Sequence, residues 1–282
     1  MRCPRRSMRE IDVAGYRVLC DAHLAPPVYA ACRDALSRPG HLFSPSPTWA
    51  RLFLAWIDAL APERRDALLP AAVACECMAA GYDLIDAVSD HAGATGMDTA
   101  LNHDLPIGVT LLLLAQETLA ALDPPGARAA ALLARAGRRA LAGQIQDQEL
   151  RRQPTATQDA ALDVLRRRSG TLVAAPCQCA AVLAGAPWRV VALAGRFGAA
   201  LGCATQLEDD LADRTDDARS GRKTLPTILV RLYPDDPDVV DATAWVLMQR
   251  FLAEAARVLI RLSPYIDTEP LWTLLPAELR AA

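Results

Sequence analysis

The sequence predicts an all-α bundle, and three observations carry that expectation. Proline-free stretches are long: 71–105, 107–123, 126–153, 188–225 and 238–263. They are rich in Ala, Leu and Arg, which are strong helix formers. Within them apolar residues recur at three and four, as in Leu193, Phe197, Ala200, Leu201, Ala204 and Leu207, the period of one helical face. No window alternates apolar and polar residues, and no Asn-Gly or Asp-Gly hairpin turn is present.

Each window has its own justification. Pro70 suits the first turn of a helix that stays apolar from Ala71 to Val88. The next window carries the run Leu111-Leu112-Leu113-Leu114, expected in the core or on a dimer face, and stops at Asp123-Pro124-Pro125-Gly126. The stretch 126–153 follows as one helix. From Val190 to Leu207 the fourth window is almost purely apolar, so it is expected to be buried. The stretch 238–263 closes the set, giving nine to eleven helices in all. A length of 282 residues allows one or two domains, but nothing reads as a linker or repeat, so 1–282 is expected as a single domain.

Composition excludes several function classes. Thirty cations against 33 anions leave a net charge of −3, so no basic excess drives binding to a nucleic-acid backbone. The most apolar stretch by this reading, 106–115, is far short of the ~20 residues of a membrane span. Residues 1–10 hold four Arg with no apolar segment behind them, unlike a secretion signal, and a cytoplasmic location is expected. Eight cysteines are too few for a disulfide scaffold. The pairs Cys75/Cys77 and Cys177/Cys179 point about 200° apart on a helix, so core packing is expected in place of zinc. Of the 30 cations only Lys223 is a lysine, which suggests that its compact ammonium is wanted there.

The strongest chemical feature is Gln206-Leu207-Glu208-Asp209-Asp210-Leu211-Ala212-Asp213. Asp209 and Asp213 share one helical face, with Asp210 one step round. Carboxylates crowded at the end of a buried helix repel and raise one another's pKa, and magnesium, a hard cation with oxygen ligands, would relieve them. A solvated acidic helix end accounts for the same residues. Asp86 and Asp90, also four apart, end a second apolar helix that contains Glu76; ordinary helix-end charges account for these too. Asp83 is expected on a different face and solvated.

These residues carry a resemblance. Gly202-x-x-x-Gln206-x-x-Asp209-Asp210-x-x-Asp213 resembles the second aspartate-rich motif of the trans-polyprenyl diphosphate synthases, with Thr205 in place of the usual Phe. Gly221-Arg222-Lys223-Thr224-Leu225-Pro226 is similar to their GKxTLP segment, Gly143-Gln144-x-x-Asp147 to their GQxxD helix, and Arg168-Ser169-Gly170-Thr171-Leu172 to their KSGxL segment with Arg replacing Lys. The resemblance spans about 70–230 and implies the isoprenoid synthase fold, a helical bundle around a central cavity. It also implies three magnesium ions held by Asp86, Asp90, Asp209, Asp210 and Asp213, an allylic prenyl diphosphate as substrate, and a homodimer. Lys223 and Arg168 would bind the diphosphate. Gln206 would orient a metal ligand or a water. Gln144 and Asp147 would shape the cavity, although helix–helix hydrogen bonding accounts for them as well. Tyr82, one turn before Asp86, would limit the substrate to C10 or C15; core packing is the alternative.

Departures from the family pattern matter as much. The first motif, DDxxD, reads Asp86-Ala87-Val88-Ser89-Asp90, without its second Asp, though Glu76 stands ten residues upstream as in the family. The basic segment that holds isopentenyl diphosphate is matched only by Gly40-His41-Leu42-Phe43-Ser44-Pro45, with at most a part-time charge on His41. The paired Arg after the first motif are replaced by Ala92-Gly93-Ala94-Thr95-Gly96. A diphosphate is held poorly without such cations. The sequence reading therefore favours a terpene synthase that lets the prenyl cation cyclise or eliminate. One alternative is a prenyltransferase, either chain-elongating or modifying a tryptophan in a small peptide, a branch that the short interval from Asp213 to Gly221 resembles. Another is a noncatalytic subunit of a prenyl diphosphate synthase. The five Trp are expected in the core or at interfaces.

Overall fold

The computed structural model describes residues 9–46, 48–90, 100–122 and 124–280. Thirteen α-helices and no strand occur among them. They gather into two compact units, Met1–Ala131 with Val182–Gly185, and Leu132–Ala181 with Ala186–Ala282. The count exceeds the expected nine to eleven because short helices without a full apolar period form where packing supports them.

In the first unit, α1 (Glu10–Asp21), α2 (Pro26–Ala35) and α3 (Thr48–Leu60) precede α4 (Leu69–Asp90), and α5 (Leu105–Ala120) follows. Helix α4 is central, packing on α1, α3 and α5. Its residues 71–81 are all buried, which is why it is apolar all round and not on one stripe. Where α4 meets α5, a Cβ on Gly81 would lie 2.8 Å from the carbonyl oxygen of Gly108, and one on Gly108 would lie 2.9 Å from that of Gly81. Two glycines thus let the backbones touch. Gly81→Ala is expected to force the helices apart and cost about 2 kcal/mol, seen as a lower thermal midpoint by circular dichroism. The leucine run on α5 divides between core and surface: Leu111 and Leu114 are buried, while Leu113 is 64% exposed.

The second unit is built on α9 (Trp188–Ala212), which packs against α12 (Pro237–Leu262). Helix α6 (Pro125–Arg152) precedes α7 (Gln158–Leu165), a π-type turn over Arg166–Gly170 and α8 (Thr171–Leu183); α10 (Arg214–Ser220), α11 (Leu225–Leu232) and α13 (Glu269–Trp272) complete the set. Side-chain caps fix two starts: Thr157 accepts from Ala160 N–H, and Asp236 from Val239 N–H. Leu207, Leu225, Ile228, Leu229, Val240 and Ala244 form one buried cluster with Leu150, Ala156 and Ala161. The acidic end of α9 therefore rises from a packed apolar base.

Two helical stretches, 66–89 and 188–212, are less apolar per residue than 106–115 but longer, and by length and composition they could span a membrane. Their most apolar windows are 72% and 61% buried inside the protein, so this character matches core positions. Cys75, Cys77, Cys177 and Cys179 are likewise buried, and burial pushes the Cys179 thiol up to about 12.

Candidate active site

The expected residues of the second unit converge through a specific local architecture. A Cβ on Gly143 would lie 2.9 Å from Cβ of Arg167 and from Cγ of Arg168, so the small residue brings α6 onto the π-type turn. A Cβ on Gly202 would lie 2.5 Å from the carbonyl oxygen of Ser169, which brings α9 onto the same turn. From that turn Ser169 Oγ donates to Gln206 Oε1 (2.8 Å), and Gln206 Nε2 donates to Asp210 Oδ1 (2.9 Å). Gln206 thus bonds a carboxylate one turn ahead of itself.

Electrostatics single out Asp210. Burial pushes its carboxyl up to about 7; the hydrogen bond from Gln206 opposes this, Asp217 and Asp209 raise it, and Arg168 lowers it. Asp209 is also raised, by burial first and then by Glu208 and Asp213. These are hard oxygen donors whose charged forms burial disfavours, a donor set that suits magnesium. Among the described residues no three acidic, histidine or cysteine side chains converge closely enough to hold an ion by themselves. An ion bound here would have to complete its shell with oxygens from a diphosphate or water.

Arg168 is placed near this group but is shared: its Nη1 stands 3.5 Å from Asp147 Oδ2, and the same oxygen accepts from Arg151 Nη2 at 2.7 Å. Asp147 is thus an anchor for two guanidiniums and buried at 5% exposure. Gln144 is buried one turn earlier, with neither amide atom hydrogen-bonded among the described residues.

Asp217 is the residue that sequence reasoning missed. It is 5% exposed, and its carboxyl is raised by burial and by Asp213 and Asp147, against hydrogen bonding from Thr224 and the charge of Arg151. Its backbone carbonyl accepts from Arg222 N–H, and Arg222 Nε lies 3.6 Å from its carboxylate. Gly221, at φ +75°, ends α10 in the left-handed conformation that glycine tolerates. Asp217 thereby holds both neighbours of Lys223, which sits half-buried between Arg222 and Thr224. The available signal was spacing, because Asp209, Asp213 and Asp217 repeat at four.

In the first unit, Asp86 is half-buried on α4 and Asp90 is the last residue of that helix. Tyr82 is half-buried, and burial pushes its phenol up to about 12. Gly40–Pro45 behaves differently from expectation. His41 is only 4% exposed; Nε2 lies 2.9 Å from Asp83 Oδ2 and Nδ1 lies 3.7 Å from Glu76 Oε2. Burial would lower its pKa, but the two carboxylates carry it up to about 9, so its charge is permanent at neutral pH and directed inward. Asp83 is 62% exposed, as a solvated group would be, yet it pairs with His41. The segment Ala92–Gly96 lies outside the described residues. A cavity of about 700 Å³ between α1, the start of α4 and the end of α5 lies by Pro70, roughly 24 Å along the helix from Asp86. It is remote from Asp86.

The polyprenyl synthetase family model matches residues 50–227. The chain belongs to the polyprenyl synthetase family. No relative among curated proteins matches it by sequence. Similar solved structures include a geranylgeranyl pyrophosphate synthetase from the archaeon Geoglobus acetivorans, 22% identical with TM-score 0.76, covering 96% of each chain. A decaprenyl diphosphate synthase from Rhodobacter capsulatus is 19% identical, with TM-score 0.72 over 96% of this chain and 95% of that one. A geranyltransferase from Helicobacter pylori, complexed with magnesium and isoprenyl diphosphate, is 16% identical, with TM-score 0.71 over 97% of each. At these identities the likeness establishes the isoprenoid synthase fold.

Proposed function

We propose that this polyprenyl synthetase family member ionises an allylic prenyl diphosphate and transfers the prenyl group to an acceptor. The observation that carries the reading is the Ser169–Gln206–Asp210 chain of hydrogen bonds, which holds a carboxylate in place at high energetic cost. Asp86, Asp90, Asp209, Asp210 and Asp213 would hold magnesium, which, when bound, neutralises charge developing on the leaving diphosphate. Arg168 and Lys223 add fixed positive charge, which favours carbon–oxygen cleavage because that charge acts most strongly where negative charge develops. Gln206 fixes the orientation of Asp210, and Asp217 fixes the strand of chain that presents Lys223. Tyr82 limits the prenyl group to C10 or C15.

Transfer to an acceptor is supported by membership of the polyprenyl synthetase family and by the similar structures named above, which are prenyl diphosphate synthases and a geranyltransferase. A second reading, cyclisation or elimination of the prenyl cation, is favoured by one observation. The only titratable side chain of Gly40–Pro45 is His41, and it is turned onto carboxylates. Pyrophosphate release from C10, C15 and C20 diphosphates with magnesium, each with and without isopentenyl diphosphate, decides between them. Prenyl transfer to isopentenyl diphosphate requires release that depends on it and a lengthened product. Release without it, with hydrocarbon or alcohol formed, establishes the second reading. No release from any substrate would leave only a peptide acceptor or a noncatalytic role, separated by adding a tryptophan-containing peptide.

A further inference from the structure

The loop between α2 and α3 is fastened on every side. Arg9 donates to the carbonyls of Leu42 (2.9 Å) and Pro45 (3.1 Å), and the Tyr16 and Phe43 rings stack with centroids 4.7 Å apart. Thr48 N–H donates to Gly40 O (2.8 Å). The attachment to α4 is different in kind because it is ionic and buried. Glu76 is fully buried; its Oε1 accepts from Ala50 N–H at 2.7 Å, capping the first turn of α3, and its Oε2 faces His41. His41 Nε2 reaches two turns along α4 to Asp83. One imidazole thus joins loop, α3 and the far half of α4.

The position of Asp83 gives this joint a consequence. At 3.6 residues per turn, positions 83, 86 and 90 fall within about 60° of arc on α4. Asp83 therefore shares the acidic side of the helix with the two carboxylates assigned to magnesium, contrary to its expected placement on another face. We propose that His41 is a positioning residue: bound to Asp83 and Glu76, it locks the loop onto α4 and withholds Asp83 from ligands bound beside it. The withholding of Asp83 rests on the diphosphate reading above; the lock does not. The charged groups bearing on His41 are Glu76 and Asp83 of α4, while Arg9, just before α1, and Asp12 of α1 pair with each other. The folded imidazolium is favoured over the unfolded one, so the lock contributes fully below pH 6.5 and weakens as pH rises through about 9.

Two measurements on the intact chain test the two halves separately, and neither needs turnover. The first is the thermal midpoint of wild type, His41→Gln and Asp83→Asn from pH 6 to 10. The wild-type midpoint should fall across this window more steeply than that of His41→Gln, and Asp83→Asn should shift the fall to lower pH. Parallel curves for wild type and His41→Gln overturn the lock. The second is calorimetric binding of inorganic diphosphate with magnesium. His41→Gln should weaken it roughly fivefold, a modest coupling between sites; the double variant His41→Gln/Asp83→Asn should recover it, and Asp83→Asn alone should leave it unchanged. Should His41→Gln fail to fold, Asp83→Asn still decides, since a changed diphosphate affinity there means Asp83 meets the ligand directly and the withholding is wrong. Absence of diphosphate binding in wild type overturns both the withholding and the diphosphate reading, while the pH curves still judge the lock.

Discussion

Asp210→Asn should lower diphosphate release by roughly 10²–10³-fold while leaving the metal-free protein as stable as wild type or more so. The two halves of this expectation share one cause. Burial, Asp217 and Asp209 raise Asp210 to about 7, above its unfolded value of 3.8. A carboxyl with a raised folded pKa binds more protons when folded. Its contribution to stability is therefore greatest at low pH and declines as pH rises through about 7. The amide removes the charge that the fold holds at a cost, and it can still accept from Gln206. It gives up the anionic oxygen that a cation requires. Thermal unfolding at pH 8 and pyrophosphate release at saturating magnesium check the two halves. A large loss of stability together with lost release would mean that Asp210 holds the helix end together and has no chemical role. Magnesium with diphosphate should raise the wild-type midpoint and leave that of Asp210→Asn almost unmoved.

Much of this site was legible in the sequence, for a physical reason. Gln206, Asp209, Asp210 and Asp213 lie on one helix, so their relation follows from helical spacing alone. Gly143, Arg168 and Gly202 lie on different elements, and only a motif resemblance tied them together; the close approaches at Gly143 and Gly202 show what those small residues permit. Asp217 was overlooked because α10 is a seven-residue helix with no apolar period to announce it. His41 was undervalued because its partners lie 35 and 42 positions away, and no local pattern encodes a buried ion pair at that separation. The apolar helices α4 and α9 were legible as buried helices, although their length and composition alone also fit a membrane span. Burial separates the two, and burial belongs to the assembled units.

Gly202→Ala should destabilise the chain by about 3 kcal/mol, a drop of roughly 5–10 °C in thermal midpoint for this size, and should reduce diphosphate release as well. Helix propensity alone predicts the opposite sign, since Ala in a helix interior is favoured over Gly by about 1 kcal/mol. Packing decides. The new methyl would sit 2.5 Å from the carbonyl oxygen of Ser169 and 2.7 Å from Cγ2 of Val173, and a backbone oxygen cannot rotate away. Relief requires α9 to move off the π-type turn, which lengthens the bond from Ser169 Oγ to Gln206 and frees Asp210 to reorient. Gly195 is the control on the same helix. A Cβ there would lie 2.5 Å from Nε2 of Gln178, the far end of a flexible, half-buried side chain. Gly195→Ala should therefore be neutral or slightly stabilising, with release intact. If both variants lose stability equally, the helix tolerates no added volume anywhere and the special role of the Gly202–Ser169 approach fails. If Gly202→Ala loses stability but keeps full release, the Ser169–Gln206 bond does not position Asp210, and the reading of that chain as catalytic support falls with it.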